Sequence, residues 1–179
     1  GSFAQWSWPA RPIKLVVPFA AGDATDVLGR VLASAMGEKL GQPVVVESRP
    51  GAGTVVAAAL VAKAPADGYT LLLGANSTFT LNPAIRTNLP YDPLKSFTAL
   101  GMAADMSLLL LANNESGVRS VADLVQQAKA APEKFSYGSY GTGSSVHFGG
   151  EMIKSRAGIR MVHVPFNGST PSLTALMGG

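Results

Sequence analysis

Side chains able to do chemistry are few in this chain and widely spaced. Its 179 residues include no cysteine and only two histidines, His147 and His163. Without cysteine there is no disulfide, no thiolate metal site and no lipid-bearing thiol. His147 and Glu151 fall four apart on a predicted helix and share a face. A metal site needs three or four such ligands, and no others lie nearby in sequence. The pair therefore reads as capping or solvated, and no metal is expected. His163 alternates with Val162 and Val164 on a short predicted strand, as a packed or hydrogen-bonded side chain would. Ser144 and Ser145 follow a glycine, yet no Gly-x-Ser-x-Gly elbow can be written around either. What does recur is a small-residue loop running into a helix. One is Pro18-Phe19-Ala20-Ala21-Gly22-Asp23-Ala24-Thr25-Asp26, and the other is Ser139-Tyr140-Gly141-Thr142-Gly143-Ser144-Ser145. Such loops offer unpaired N–H groups and the positive end of a helix dipole, which suits an anion. Neither contains Gly-x-Gly-x-x-Gly or Gly-Lys-Ser/Thr, so dinucleotide and P-loop fingerprints are excluded. Their polar side chains are mostly neutral, fit for hydrogen bonding more than for acid–base work. No catalytic residue and no cofactor is expected.

The elements around these loops alternate. Ile13 to Val17 is short, β-branched and bounded by prolines, as a central parallel strand should be. A helix is predicted over Thr25 to Leu40, capped by Thr25 or Asp26 and ended by Gly41. A strand at Val44 to Glu47, a helix at Thr54 to Ala64 and a strand at Tyr69 to Leu73 follow. This order requires right-handed crossovers and a parallel sheet. Ala75 to Thr78 then forms a polar loop at the carboxyl end of the third strand, where ligands bind in open α/β sheets. Asn82 to Phe97 reads as turns around one short helix. The run Thr98 to Ala112 is long enough to leave one sheet and enter another, with the crossover near Met102 to Met106. The second block repeats the scheme: helix Ser120 to Ala131, strand Phe135 to Gly138, helix Val146 to Ala157, strand Met161 to Val164, helix Pro171 to Met177. Two cradles in two lobes predict a cleft between them.

Composition narrows the class. With 47% hydrophobic and 14% charged residues, the chain has ample core and a quiet surface. Its net charge of +3 comes from scattered Lys and Arg, which argues against nucleic acid and weakly suits anionic small molecules. The longest apolar stretch, Ala99 to Ala112, is broken by Asp105 and is too short to span a bilayer. No signal peptide is evident, and Gly1-Ser2 reads as a remnant ahead of a mature start.

Several segments, in this order, resemble the periplasmic solute-binding proteins of tripartite tricarboxylate transporters, the Bug or TctC family. They are Trp8-Pro9 to Asp26, Leu40 to Glu47, Arg49-Pro50-Gly51-Ala52-Gly53, Pro65 to Gly74, Leu89-Pro90-Tyr91-Asp92-Pro93, Tyr137 to Glu151 and Val162 to Phe166. Each is short, but together they are specific and span nearly the whole chain. The resemblance implies an α/β fold of the periplasmic-binding-protein type II-like, Venus-flytrap kind, with parallel-sheet lobes over 1–104 and 105–179, the second incomplete. It implies a small carboxylate ligand, membrane transporter subunits as partners, and a periplasmic location. It implies recognition by backbone N–H groups, hydroxyls and waters, which fits the lack of a convergent Arg in the sequence. Carried over, the first-lobe contacts are Phe19, Ala20, Ala21, Gly22, Thr25, and the loop with Ala75, Ser77 and Thr78. Those of the second lobe are Gly141, Thr142, Gly143, Ser144, Ser145, Phe166 and Asn167. Asp23 stands where the family usually has a second glycine. Pointing inward it would repel an anion or select an amine, and pointing outward it would only cap. Gly53-Thr54-Val55 replaces the usual Gly-Gly-Asn. Family members are longer, so this chain alone is expected to expose sheet edges and either to associate, as by swapping elements between copies, or to bind ligand poorly. The rivals are an α/β enzyme acting on a small organic acid and a ligand sensor that does not hand its ligand over.

Overall fold

A computed structural model of the protein describes residues 8–179, so the reading of Gly1-Ser2 lies outside the described residues. Strand β1 (Ile13–Val17) lies at the centre of a three-stranded parallel sheet, flanked by β2 (Val44–Ser48) and β3 (Thr70–Leu72). Leu15 sits in register with Val46 on one side and Leu71 on the other. Ile13, Val16 and Val17 are fully buried, which is why this strand reads as a continuous apolar run. Helix α1 (Ala24–Leu40) packs back on the sheet through Gly29, whose α-carbon lies over Val17 and Leu73. It ends as expected at Gly41, in the left-handed conformation with its N–H on Gly37 O. Its cap differs from the sequence reading. Asp23, one residue ahead of the helix, accepts from Thr25 N, while Asp26 sits inside the first turn and turns back into the loop.

A short 3₁₀ turn (Ala52–Thr54) leads into α2 (Val55–Ala62). Beyond β3 the expected polar loop is coiled: Ser77–Leu81 forms a wide helical turn, with Asn82 N–H on Ser77 O, and continues into α3 (Asn82–Ile85). The run Thr98 to Ala112, read as the stretch that passes from one sheet to the other, pairs with neither sheet. Strand conformation is stabilised by a partner, and no described strand lies beside it.

The second half is built around α4 (Val121–Ala130), capped by Ser120 whose hydroxyl accepts from Asp123 N. Strands β4 (Ser136–Ser139) and β5 (Val162–Pro165) pair in parallel, with Tyr137 opposite His163. Leu124, Ala128, Ile159 and Met161 form the core here. Helices α5 (Ser145–Ala157) and α6 (Ser169–Gly178) follow the two strands, so both begin at the carboxyl edge of this sheet.

Candidate functional site

The carboxyl ends of the two sheets face each other and touch. Asp23 of the first half accepts from the N–H and hydroxyl of Ser169, at the start of α6, at 3.0 and 2.7 Å. Ser145 Oγ donates to Asn76 Oδ1 at 2.5 Å. Between these contacts the backbones nearly meet: a Cβ on Gly53 would lie 2.7 Å from Thr142 O. Gly53 has φ of +64°, a conformation that glycine adopts freely, so both space and backbone favour it here.

This seam encloses a cavity of about 300 Å³ with walls from both halves. Of the residues singled out from sequence, it brings together Phe19, Ala20, Gly141, Thr142, Phe166 and Asn167. Gly22, Asp23 and Thr25 lie off the lining, in the capping network of α1. Ser77 and Thr78 are fully buried, and Thr78 hydrogen-bonds Thr54 at 2.8 Å. Ser77 Oγ is buried without a partner. Ser144 caps α5 by accepting from His147 N, and Ser145 is spent on Asn76. Ala21, Ala75 and Gly143 also lie off the lining. A more open hollow of about 510 Å³ between α1 and β2 is lined from one half alone, and its Arg30 is already paired with Asp26.

The wall also contains residues that the sequence reading passed over: Thr54, Tyr140 and Arg86. Burial, followed by the nearby Asp23 carboxylate, pushes the Tyr140 phenol above its ordinary range, so it stays a neutral donor. Arg86 corrects the expectation that no arginine converges. Its position follows from Asn82, about one turn earlier and fully buried, which anchors α3 by donating to Gly53 O at 2.6 Å. No local sequence signal marks Arg86, because its approach to Ala52 spans 34 residues.

The histidines support the second-half loop. Ser139 Oγ and His163 Nε2 lie 2.7 Å apart, and His147 Nδ1 accepts from Gly143 N at 3.3 Å. Burial, reinforced by His147, lowers the His163 pKa, so the ring is held neutral. Glu151 takes Lys154 and the Tyr137 hydroxyl, each lowering its pKa. Among the described residues no cluster of three metal-ligating side chains occurs.

Two α/β units with parallel sheets meet at their carboxyl edges over a small cavity, in the two-lobed fold of the periplasmic-binding-protein type II-like class. Residues 28–179 match the family model described as the tripartite tricarboxylate transporter family receptor, TctC. The chain belongs to this TctC/Bug family. It is 42% identical over 172 residues to a UPF0065 protein of Bordetella pertussis, covering 95% of this chain and 52% of that relative. BugT of the same organism is 38% identical over 174 residues, or 97% of this chain and 53% of BugT. Among solved structures, MatC from Rhodopseudomonas palustris with bound malate has a TM-score of 0.89 at 32% identity, covering 96% of this chain and 58% of MatC. R. palustris Rpa4515 with adipate has a TM-score of 0.81 at 34% identity, covering 96% and 57%. The chain spans about half the length of the curated relatives it matches. Among the described residues no helix is long and apolar enough to cross a membrane.

Proposed function

We propose that this protein captures a small carboxylate in the cavity between its two sheets and delivers it, in the periplasm, to the membrane subunits of a tripartite tricarboxylate transporter. The single observation that carries this reading is the cavity itself, lined from both halves by short loops and by one cationic side chain, Arg86. A volume of about 300 Å³ is at the small end for ligand pockets and suits an acid of a few carbons. The halves divide near residues 104 and 105 and act as lobes that close over the ligand, each supplying part of the wall. Di- and tricarboxylates, amino acids and aromatic acids are the classes to compare. The ligands in the MatC and Rpa4515 structures, malate and adipate, belong to the first of these.

Calorimetric titration of the natural full-length protein with such a panel tests the reading. Saturable binding of at least one acid, at affinities of order micromolar or about 8 kcal/mol, is expected. Absence of binding by every acid to a folded sample would reject it. Capture of transporter membrane subunits by the loaded protein distinguishes delivery from sensing.

A further inference from the structure

The glycine loops look like anion cradles, but the N–H groups of their glycines, and that of Thr25, already have partners within the chain. Gly22 N–H donates to Asp26 Oδ2 at 3.0 Å, and Thr25 N–H to Asp23 Oδ1 at 3.1 Å. In the second half Gly141 N–H donates to Ser139 Oγ at 3.2 Å, and Gly143 N–H to His147 Nδ1 at 3.3 Å. The start of α6 is taken as well, by Asp23 Oδ2 on Ser169. The chain's own carboxylates thus stand where a ligand anion would gain most from the two helix ends.

One positive charge remains on the cavity wall. Arg86 is the only charged residue that lines it, and it forms no ion pair among the described residues. Its direction is fixed by neutral acceptors: Nε donates to Asn82 Oδ1 at 3.0 Å and Nη2 to Ala52 O at 3.2 Å. Those two bonds use two of the five N–H donors of a guanidinium and leave the rest for another acceptor. The opposite half closes down on it, since a Cβ on Gly143 would lie 3.5 Å from Arg86 Nη2. A half-buried cation held in place with no carboxylate of its own is suited to bind one from outside.

We infer that Arg86 is the residue that recognises the negative charge of the ligand in this cavity, selecting acids over neutral analogues where the glycine loops supply shape. This rests on the carboxylate-binding reading above and deepens it.

The test compares an acid that binds the natural full-length protein with its uncharged amide of the same shape. Wild type is expected to prefer the acid by about tenfold or more, as a charge-assisted contact provides. Arg86→Gln should remove most of that preference, chiefly by weakening the acid, while the amide binds nearly as before. Arg86→Lys keeps the charge and should keep most of the preference, so the pair separates charge recognition from damage to the wall. An acid-to-amide ratio unchanged in Arg86→Gln, or lost equally in Arg86→Lys, would overturn the assignment. Equal wild-type affinity for acid and amide would overturn it while leaving ligand capture intact. Binding of neither compound, nor of any other acid, would instead reject the carboxylate reading and this inference together.

Discussion

At position 23 one carboxylate joins two elements that are 146 residues apart in the chain: Oδ1 caps α1, while Oδ2 crosses the seam to Ser169. The side chain is 4% exposed, so both roles are played away from bulk water. Hydrogen bonds to a charged group contribute about 1.5–3 kcal/mol each to the state that forms them. Asp23→Ala should therefore shift the ligand-free lobes toward open by roughly 10–100-fold. Small-angle scattering without ligand reads this as an increased radius of gyration, and an unchanged profile would remove the crossing bond as a latch. Neither sequence alternative for this residue described it. Asp23 caps as an outward residue would, and it reaches across the seam as an inward one would. Asp26 is a second buried carboxylate, and burial works against its charge. The Arg30 guanidinium, the Gly22 N–H and the Ser48 hydroxyl outweigh that cost and hold its pKa below the ordinary value. Such a group stabilises the fold above its unfolded pKa, about 3.8, and that contribution is lost as pH falls through its lower folded value.

At the scale of elements, the loops that meet across the seam set how far the lobes can close. Gly53→Ala would place a methyl 2.7 Å from Thr142 O on a backbone of positive φ. A clash with backbone cannot be relieved by a rotamer change, so closure should be blocked while each half stays folded. Ligand affinity in Gly53→Ala should fall by about tenfold or more with little change in far-UV circular dichroism, a cost of about 1–3 kcal/mol. Wild-type affinity would show that closure does not bring these loops together. Behind the other loop, His163 packs against His147 and Tyr137, with ring centroids 4.1 and 5.0 Å away, and bonds Ser139. Glu151 and Lys154 complete the surrounding charges. Its folded pKa lies below the ordinary 6.5, so an unfolded chain takes up that proton first. Stability should be level above about pH 6.5 and decline as pH falls from there toward the folded pKa. Denaturant melts across this window should show the slope, and His163→Gln should flatten it. A slope that persists in the variant would assign it to another group.

At the scale of the whole molecule, the segment after Phe97 leaves much apolar surface in water. Leu100, Met102 and Leu109 are each more than three-quarters exposed, and Leu108, Leu110 and Leu111 are more than half exposed. Both sheets also end in open edges, with β2 and β3 flanking one and β4 and β5 paired alone in the other. Contiguous apolar surface beside unpaired strand edges favours association. The 179-residue chain should sediment above monomer mass at high concentration, and Leu109→Lys with Leu111→Lys should restore the monomer. Monomeric sedimentation of the unaltered chain at every concentration would refute this.

The sequence by itself determined the local pieces. Apolar runs bounded by proline and glycine located the strands, and Gly41 and Ser120 set the ends of their helices through short-range geometry. The two loops that frame the cavity were also legible, since small residues before a helix mark a place where backbone can approach a ligand. Tertiary structure alone decided which acceptors those loops use, because Asp23, His147 and Ser139 compete with any ligand for the same N–H groups. It also decided that Ser77 and Thr78 pack inward, since a wide turn replaced the open loop. Arg86 reaches the cavity only because buried Asn82 ties α3 to a turn about thirty residues earlier. Contacts of that range leave no periodic signature: they arise when separate elements are packed at fixed distances, and charge recognition in this cavity depends on them.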